Sequence, residues 1–319
     1  MRSEPGSPVR RTGLGGLGFA VLSASSFGLS GVLGKGLLET GWTAGAAVLL
    51  RVTVAALVLL VPTAVALRGR WGALRRHVWL VVAFGLVPVA GTQFCFFQAV
   101  TRLPVGIALL LEYTAPLVII LWLWARHGHR PSRLTVVGAV VALAGLLLVL
   151  DLVSGQVIDL VGTLWALAGM VGAATYFVLG AHDADGLPPI ALAGGGMVVG
   201  AAGLAAGGLA GLVPMSFRAA PVLLAGRLLP WWGDVLALGV VTAAVAYATG
   251  IAASRRLGSR LASFLALTEV LFALIFAWLL LGELPRPVQL VGGVVLVLGV
   301  AVVKLGEGKV ADASPEPLA

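Results

Sequence analysis

The chain has 319 residues, 60% of them apolar and only 11% charged. A water-soluble domain carries about 25% charged residues, so a soluble globular protein is excluded and most of the surface must face something other than water. The net charge of +8 does not point to nucleic acid, because the basic residues sit in short clusters between apolar runs and form no continuous stripe.

A membrane-crossing helix needs about 20 mostly apolar residues. Stretches that qualify lie at 14–34, 44–67, 78–100, 105–126, 134–152, 158–181, 188–212, 232–253, 260–281 and 286–304. The runs are long and lack the alternation of barrel strands, so the fold class expected is all-α integral membrane with ten transmembrane helices.

In chain order, residues 1–13 read as a polar cytoplasmic tail with Pro5, Pro8, Arg10 and Arg11. The Arg pair before an apolar run resembles the start of a signal peptide. The further apolar segments that follow make it an uncleaved first helix. The second stretch carries Arg51, and the third carries Thr92, Gln93, Phe96, Gln98 and the lone Cys95. Glu112, Tyr113 and Pro116 fall in the fourth, Tyr176 in the sixth, Gly194-Gly195-Gly196 in the seventh, Tyr247 in the eighth and Glu269 in the ninth. The segment 213–231 has Pro214, Pro221 and Pro230, and its apolar core is too short to span. Trp42, Trp71, Trp79, Trp231 and Trp232 read as interfacial anchors. Residues 306–319 read as a cytoplasmic tail.

The connections alternate in charge. Arg68, Arg70, Arg75, Arg76, Arg126, Arg130, Arg133, Arg255, Arg256, Arg260, Lys304 and Lys309 fall on the side of the N-terminal tail. The opposite side holds only Lys35, Arg102, Arg218, Arg227 and Arg286. Cytoplasmic loops carry the Lys/Arg excess, so both termini are expected inside. The sixth connection offers only His182, Asp183 and Asp185.

The sequence also repeats. Residues 101–146 moved by 154 fall on 255–300 without a gap, pairing Arg102 with Arg256, Thr114 with Thr268, Trp124 with Trp278, Gly128 with Gly282, Pro131 with Pro285, Gly138 with Gly292 and Gly145 with Gly299. Val32-Leu33-Gly34 likewise matches Val178-Leu179-Gly180 at a shift of 146. The halves, 14–152 and 158–305, then hold five spans each. Five is odd, so the second enters the bilayer from the opposite side. Such inverted repeats provide alternating access around a site near the midplane.

Specific motifs carry a resemblance. Leu111-Glu112-Tyr113-Thr114-Ala115-Pro116 resembles the Leu-Glu-aromatic-Thr-x-Pro run of EamA-type drug/metabolite transporters, and is most similar to their threonine/homoserine-exporter-like branch. Leu280-Leu281-Gly282-Glu283 with Pro285, Gln289 and Gly292 resembles that family's ninth-to-tenth junction, and Asp159-Leu160-Val161-Gly162 resembles the opening of its second repeat. The chain departs from the pattern at Glu269-Val270, where the family often has Pro after the carboxylate, and at His129, which stands where the second repeat has Glu283. The resemblance implies export of amino acids or other small metabolites across a bacterial plasma membrane, with no cofactor.

Arg51, Glu112 and Glu269 lie deep in apolar spans. A charge there costs about 2.5–3.5 kcal/mol on insertion scales and usually faces a cavity or a partner. Arg51 and Glu112 sit at similar depth, so an ion pair between them is one reading. A substrate or proton site is the other. Under the repeat, Glu269 maps to Ala115, one turn from Glu112 on the same face. Both carboxylates are then expected to point into a central cavity, as binders of a substrate ammonium group or of a coupling proton. Gln93, Tyr113 and Tyr247 are expected to complete the substrate site.

The expected partners are a small-molecule substrate and the lipid bilayer. A passive channel or facilitator is the alternative carried forward. An intramembrane enzyme is not supported. Gly28-Leu29-Ser30-Gly31 resembles a serine-nucleophile turn, but His77, His127, His129 and His182 all fall in or beside connections on the other side, out of reach as a base.

Overall fold

The structure, a computed structural model, describes residues 9–100, 102–103, 105–128, 131–149, 159–182, 184–282 and 284–312. His129, Arg130, Asp183, Glu283, Arg2 and the expected helix ends at 150–152 and 158 lie outside the described residues.

The first half comprises α1 (Val9–Gly28), α2 (Ser30–Glu39), α3 (Ala44–Ala66), α4 (Trp71–Arg76), α5 (Val78–Phe84), a π-helical segment (Gly85–Gly91), α6 (Thr92–Val100), α7 (Val105–Glu112), α8 (Ala115–His127) and α9 (Arg133–Val149). The second comprises α10 (Leu160–Ala181), α11 (Pro189–Leu209), the strands β1 (Val222–Leu224) and β2 (Arg227–Leu229), and α12 (Trp231–Gly239). A second π-helical segment (Val240–Val245), α13 (Ala246–Ala266), α14 (Glu269–Phe276), a third π-helical segment (Ala277–Leu281) and α15 (Pro287–Asp312) complete it.

Local chemistry sets the ends. Thr43 caps α3 by accepting from Ala46 N at 3.4 Å, and Asp159 caps α10 by accepting from Gly162 N at 2.6 Å. Gly128 (φ 67°) and Gly282 (φ 73°) close α8 and the third π segment in the left-handed conformation that glycine adopts without strain.

Among the described residues eight helices are long and apolar enough to cross a membrane: Gly15–Glu39, Ala44–Ala66, Val78–Phe96, Ala108–Arg126, Leu160–Ala181, Pro189–Leu209, Trp231–Ala266 and Pro287–Gly306. Arg133–Val149 and Glu269–Leu280 are apolar but shorter. The eighth and ninth expected stretches meet at a kink, where Gly258 (φ 78°, ψ 159°) breaks the helical backbone within α13. Arg255 and Arg256 precede that kink, and Arg260, just past it, is buried.

Other expectations need correction. The first stretch continues through Lys35 to Glu39, and α15 continues to Asp312, so neither Lys35 nor residues 306–312 are in loops. The helices carry one short hairpin in the connection before α12. Val222 pairs with Leu229, and Leu224 with Arg227, around a turn at Ala225 (φ 52°) and Gly226 (φ 71°). Two positive φ values give the primed turn that matches strand twist. Trp42 is buried, donates Nε1–H to Arg218 O at 2.7 Å and packs against Phe217 and Trp231. Trp71, Trp79 and Trp232 are exposed, as anchors require.

The exterior is apolar, with Val61, Val140, Leu164 and Val294 more than half exposed. Such a continuous apolar surface suits lipid rather than water. The interior is drawn together by small residues. In the most extensively packed helix pair, α9 with α15, a methyl added at Gly138 would meet Val303 N at 2.6 Å. One at Gly145 would meet Leu296 Cα at 2.6 Å, at Gly292 Val149 N at 2.6 Å, and at Gly299 Ala142 Cα at 2.6 Å. Only glycine permits this approach. Gly195 and Gly196 behave likewise, with Val81 and Phe84 at 2.7 Å from an added methyl.

The shift of 154 reappears in backbone geometry. Thr114 Oγ1 donates to Leu111 O at 2.6 Å, and Thr268 Oγ1 to Leu265 O at 2.6 Å. Both threonines interrupt their helices, between α7 and α8 and between α13 and α14. Two of the π segments occupy corresponding stretches, Gly85–Gly91 and Val240–Val245.

Candidate functional site

A cavity of about 910 Å³ lies between the halves, and Arg51, Gln93, Glu112, Tyr113, Tyr247 and Glu269 all line it. The structure thus brings every sequence-predicted site residue to one chamber. Thr92, Phe96 and Tyr176 line it as well, whereas Gln98 is not among its lining residues.

Arg51 enters from α3, one face of which is buried in the core. The residue is 6% exposed. Nη1 donates to Gln93 Oε1 at 3.1 Å and Nη2 to Thr242 O at 2.6 Å. The pairing with Glu112 read as one alternative from depth alone is replaced by these two neutral acceptors. Glu269 lies near both Arg51 and Glu112, with its carboxyl group facing the Tyr113 hydroxyl.

The Thr242 carbonyl is available because it lies in a π-helical segment. There the repeat of backbone hydrogen bonds is widened and carbonyls are freed for side chains. Its counterpart 154 residues earlier is Pro88, inside the other π segment, and Pro88 O accepts from Tyr247 Oη at 3.4 Å. Gln93 and Tyr247 are themselves separated by 154, and the Tyr247 hydroxyl lies within reach of the Gln93 side chain. Each half therefore contributes one bulge carbonyl and one polar side chain to the same cluster.

Around it stands an aromatic cage. Tyr176 lies 5.4 Å from Tyr247 and 5.6 Å from Phe84 between ring centroids, and Phe27 lies 5.1 Å from Tyr247. These distances suit edge-to-face contact. The cavity extends past Ser30 and Gly34 to Lys35, Glu39, Val149 and Gln289 at the ends of their helices.

Sequence reasoning missed Ser23, Phe27, Ser30, Phe177 and Ser263 as cavity residues. The cluster Ser23, Ser25, Ser26 and Ser30 in an apolar helix was an available signal. Thr242 was invisible, since its contribution is a main-chain carbonyl released by local helix geometry.

The arrangement holds a cation fixed by neutral acceptors, two carboxylates, and apolar rings in one chamber. It has the means to hold a small molecule bearing both charges. Among the described residues no group of three or more His, Cys, Asp or Glu side chains is placed to hold a metal ion.

Comparison with known proteins agrees with this architecture. A crystal structure of a protein, 23% identical in sequence, superposes with a TM-score of 0.73 over 92% of this chain and 98% of its own. The threonine/homoserine exporter RhtA of Escherichia coli K12 is 28% identical over 217 residues, as is that of Escherichia coli O157:H7. The match spans 66% of this chain and 66% of the relative's length. The family model described as the EamA-like transporter family matches residues 14–151 and 160–305, two copies that divide the chain where its own repeat does. The chain is a multi-pass membrane protein of the EamA-like transporter family, similar to its threonine/homoserine-exporter branch.

Proposed function

We propose that this protein is a carrier that exports small amino-acid-like metabolites across a bacterial plasma membrane by alternating access. Its ten spans form two inverted five-helix repeats, and both termini lie in the cytoplasm. The observation that carries this reading is the shared chamber, in which Arg51 stands with Glu112 and Glu269. An α-amino acid presents one carboxylate and one ammonium group. Arg51 receives the first and Glu269 the second, with Glu112 as a further carboxylate for the ammonium group or for a coupling proton. Gln93, Tyr113 and Tyr247 orient these groups.

Several facts support the inverted repeat. The threonine turns, the glycine caps and the π segments recur at a spacing of 154, and the family model matches twice. The basic connections support the orientation. The similarity to threonine/homoserine exporters supports the direction and the substrate class.

The test is an export screen. Cells overproducing the protein are fed a panel of dipeptides, and the amino acids released to the medium are measured against cells producing Glu269→Gln or Glu112→Gln at equal abundance. The wild-type protein should raise release of at least one amino acid, and each variant should abolish the increase. Full activity in both single variants would remove the carboxylates from the site.

A further inference from the structure

The wall that α2 gives to the cavity is built unlike the rest. The first membrane segment is interrupted at Leu29, between α1 and α2. Just before the break, Gly28 is pressed onto α14, where an added methyl would meet Phe272 Cβ at 2.8 Å and both Glu269 O and Ala273 N at 2.9 Å. Beyond it α2 has two faces. Val32, Leu33 and Leu37 are buried in a cluster with Trp42, Val222, Val235 and Leu238. Gly31, Gly34, Leu38 and Glu39 line the cavity.

Four helical glycines line that cavity, and they fall into two classes. Gly28 and Gly250 have no room for a side chain. Gly31 and Gly34 have nothing within 4 Å of an added methyl. Glycine in a helix interior is disfavoured relative to alanine, and nothing in this conformation repays it at these two positions. They are also three residues apart, on one face.

The side of α2 away from the cavity meets a separate strap, in which β1 seats Val222 against Gly36. The strap is itself fastened to the start of α3, where Ser216 N donates to Thr43 Oγ1 at 2.9 Å and a methyl at Gly45 would meet Pro214 O at 2.6 Å. The continuous helix α10, which matches the first segment at a shift of 146, has no such break.

Resting on the carrier reading above, we propose that α2 is the outer gate of the transport cycle. It pivots at Gly28-Leu29, and its Gly31–Gly34 face closes against the opposite wall of the cavity in the state that is sealed to the outside. The missing side chains are room reserved for that state. The segment 213–229 steadies the outer face of α2 as it moves.

The test uses the full chain in liposomes, with Cys95→Ser and spin labels attached through Glu39→Cys at the tip of α2 and Arg102→Cys just beyond α6. Exchange of a uniformly labelled amino-acid mixture is measured in parallel. The parent protein should give a long and a shorter label distance. Gly34→Leu, which fits the open space seen here, should keep the long distance, lose the shorter one and slow exchange roughly tenfold or more. Gly34→Ala should do the same to a smaller extent.

Retention of the shorter distance, or of exchange, in Gly34→Leu overturns the gate. So does a rise in KM alone with both distances kept, since the glycines would then be making room for substrate. Absence of exchange in the parent protein overturns the carrier reading itself, and the gate with it.

Discussion

Arg51 is the residue on which the chamber's charge balance turns. Its two recorded hydrogen bonds go to neutral groups, Gln93 Oε1 and Thr242 O, and its guanidinium fork reaches both at once. Lysine is a point charge that cannot reproduce a planar fork. Arg51→Lys should therefore raise the KM for export about tenfold or more, corresponding to roughly 1.4 kcal/mol of lost binding, as read from dose-dependent export. Arg51→Met separates binding from folding. It removes a buried charge together with its hydrogen bonds, two effects that often cancel in stability. Its unfolding temperature in detergent should stay within about 4 °C of the parent's while export is lost. A collapse of folded protein instead would make Arg51 a structural residue.

The helices hold together where no side chain intervenes. Gly145 and Gly299 occupy corresponding positions in α9 and α15, and a methyl on either would press on the other helix's backbone. Gly145→Val and Gly299→Val should each lower stability by about 1–3 kcal/mol, and by similar amounts, because the two contacts are related by the repeat. Thermal unfolding of both in the same detergent checks this. A loss confined to one would argue against a symmetric interface. The positions of these helices were legible from apolar run length, and the glycine pairs from the internal repeat. The boundaries were less so. Lys35 suggested a loop because a charge marks a helix end, yet α2 carries it along the cavity wall. The connection between the eighth and ninth stretches is tighter than expected, a single kink at Gly258. The π segments left no mark in composition. The hairpin at 222–229 was hidden because Pro221 and Pro230 on either side of it read only as loop signals.

At the scale of the whole molecule, the site was more legible than its wiring. A carboxylate or guanidinium inside an apolar run is costly, so Arg51, Glu112 and Glu269 announced a shared chamber, and the structure brings them to one. Which groups touch was beyond the sequence, because depth along separate helices does not fix their rotation. That is why Arg51 was matched with Glu112 and is found beside Gln93 and Thr242 O. The inverted arrangement makes its own prediction. Reporter tags fused to the amino and the carboxyl ends should both read as cytoplasmic, and ends in different compartments would break the five-plus-five threading. The central claim is that one chamber faces the two sides in turn. It is tested most directly by loading liposomes containing the protein with unlabelled amino acids and following uptake of a labelled amino-acid mixture. The carrier account predicts a transient overshoot of label above equilibrium, saturable and absent in Glu269→Gln. Uptake that rises linearly with concentration and is indifferent to the internal load would contradict it.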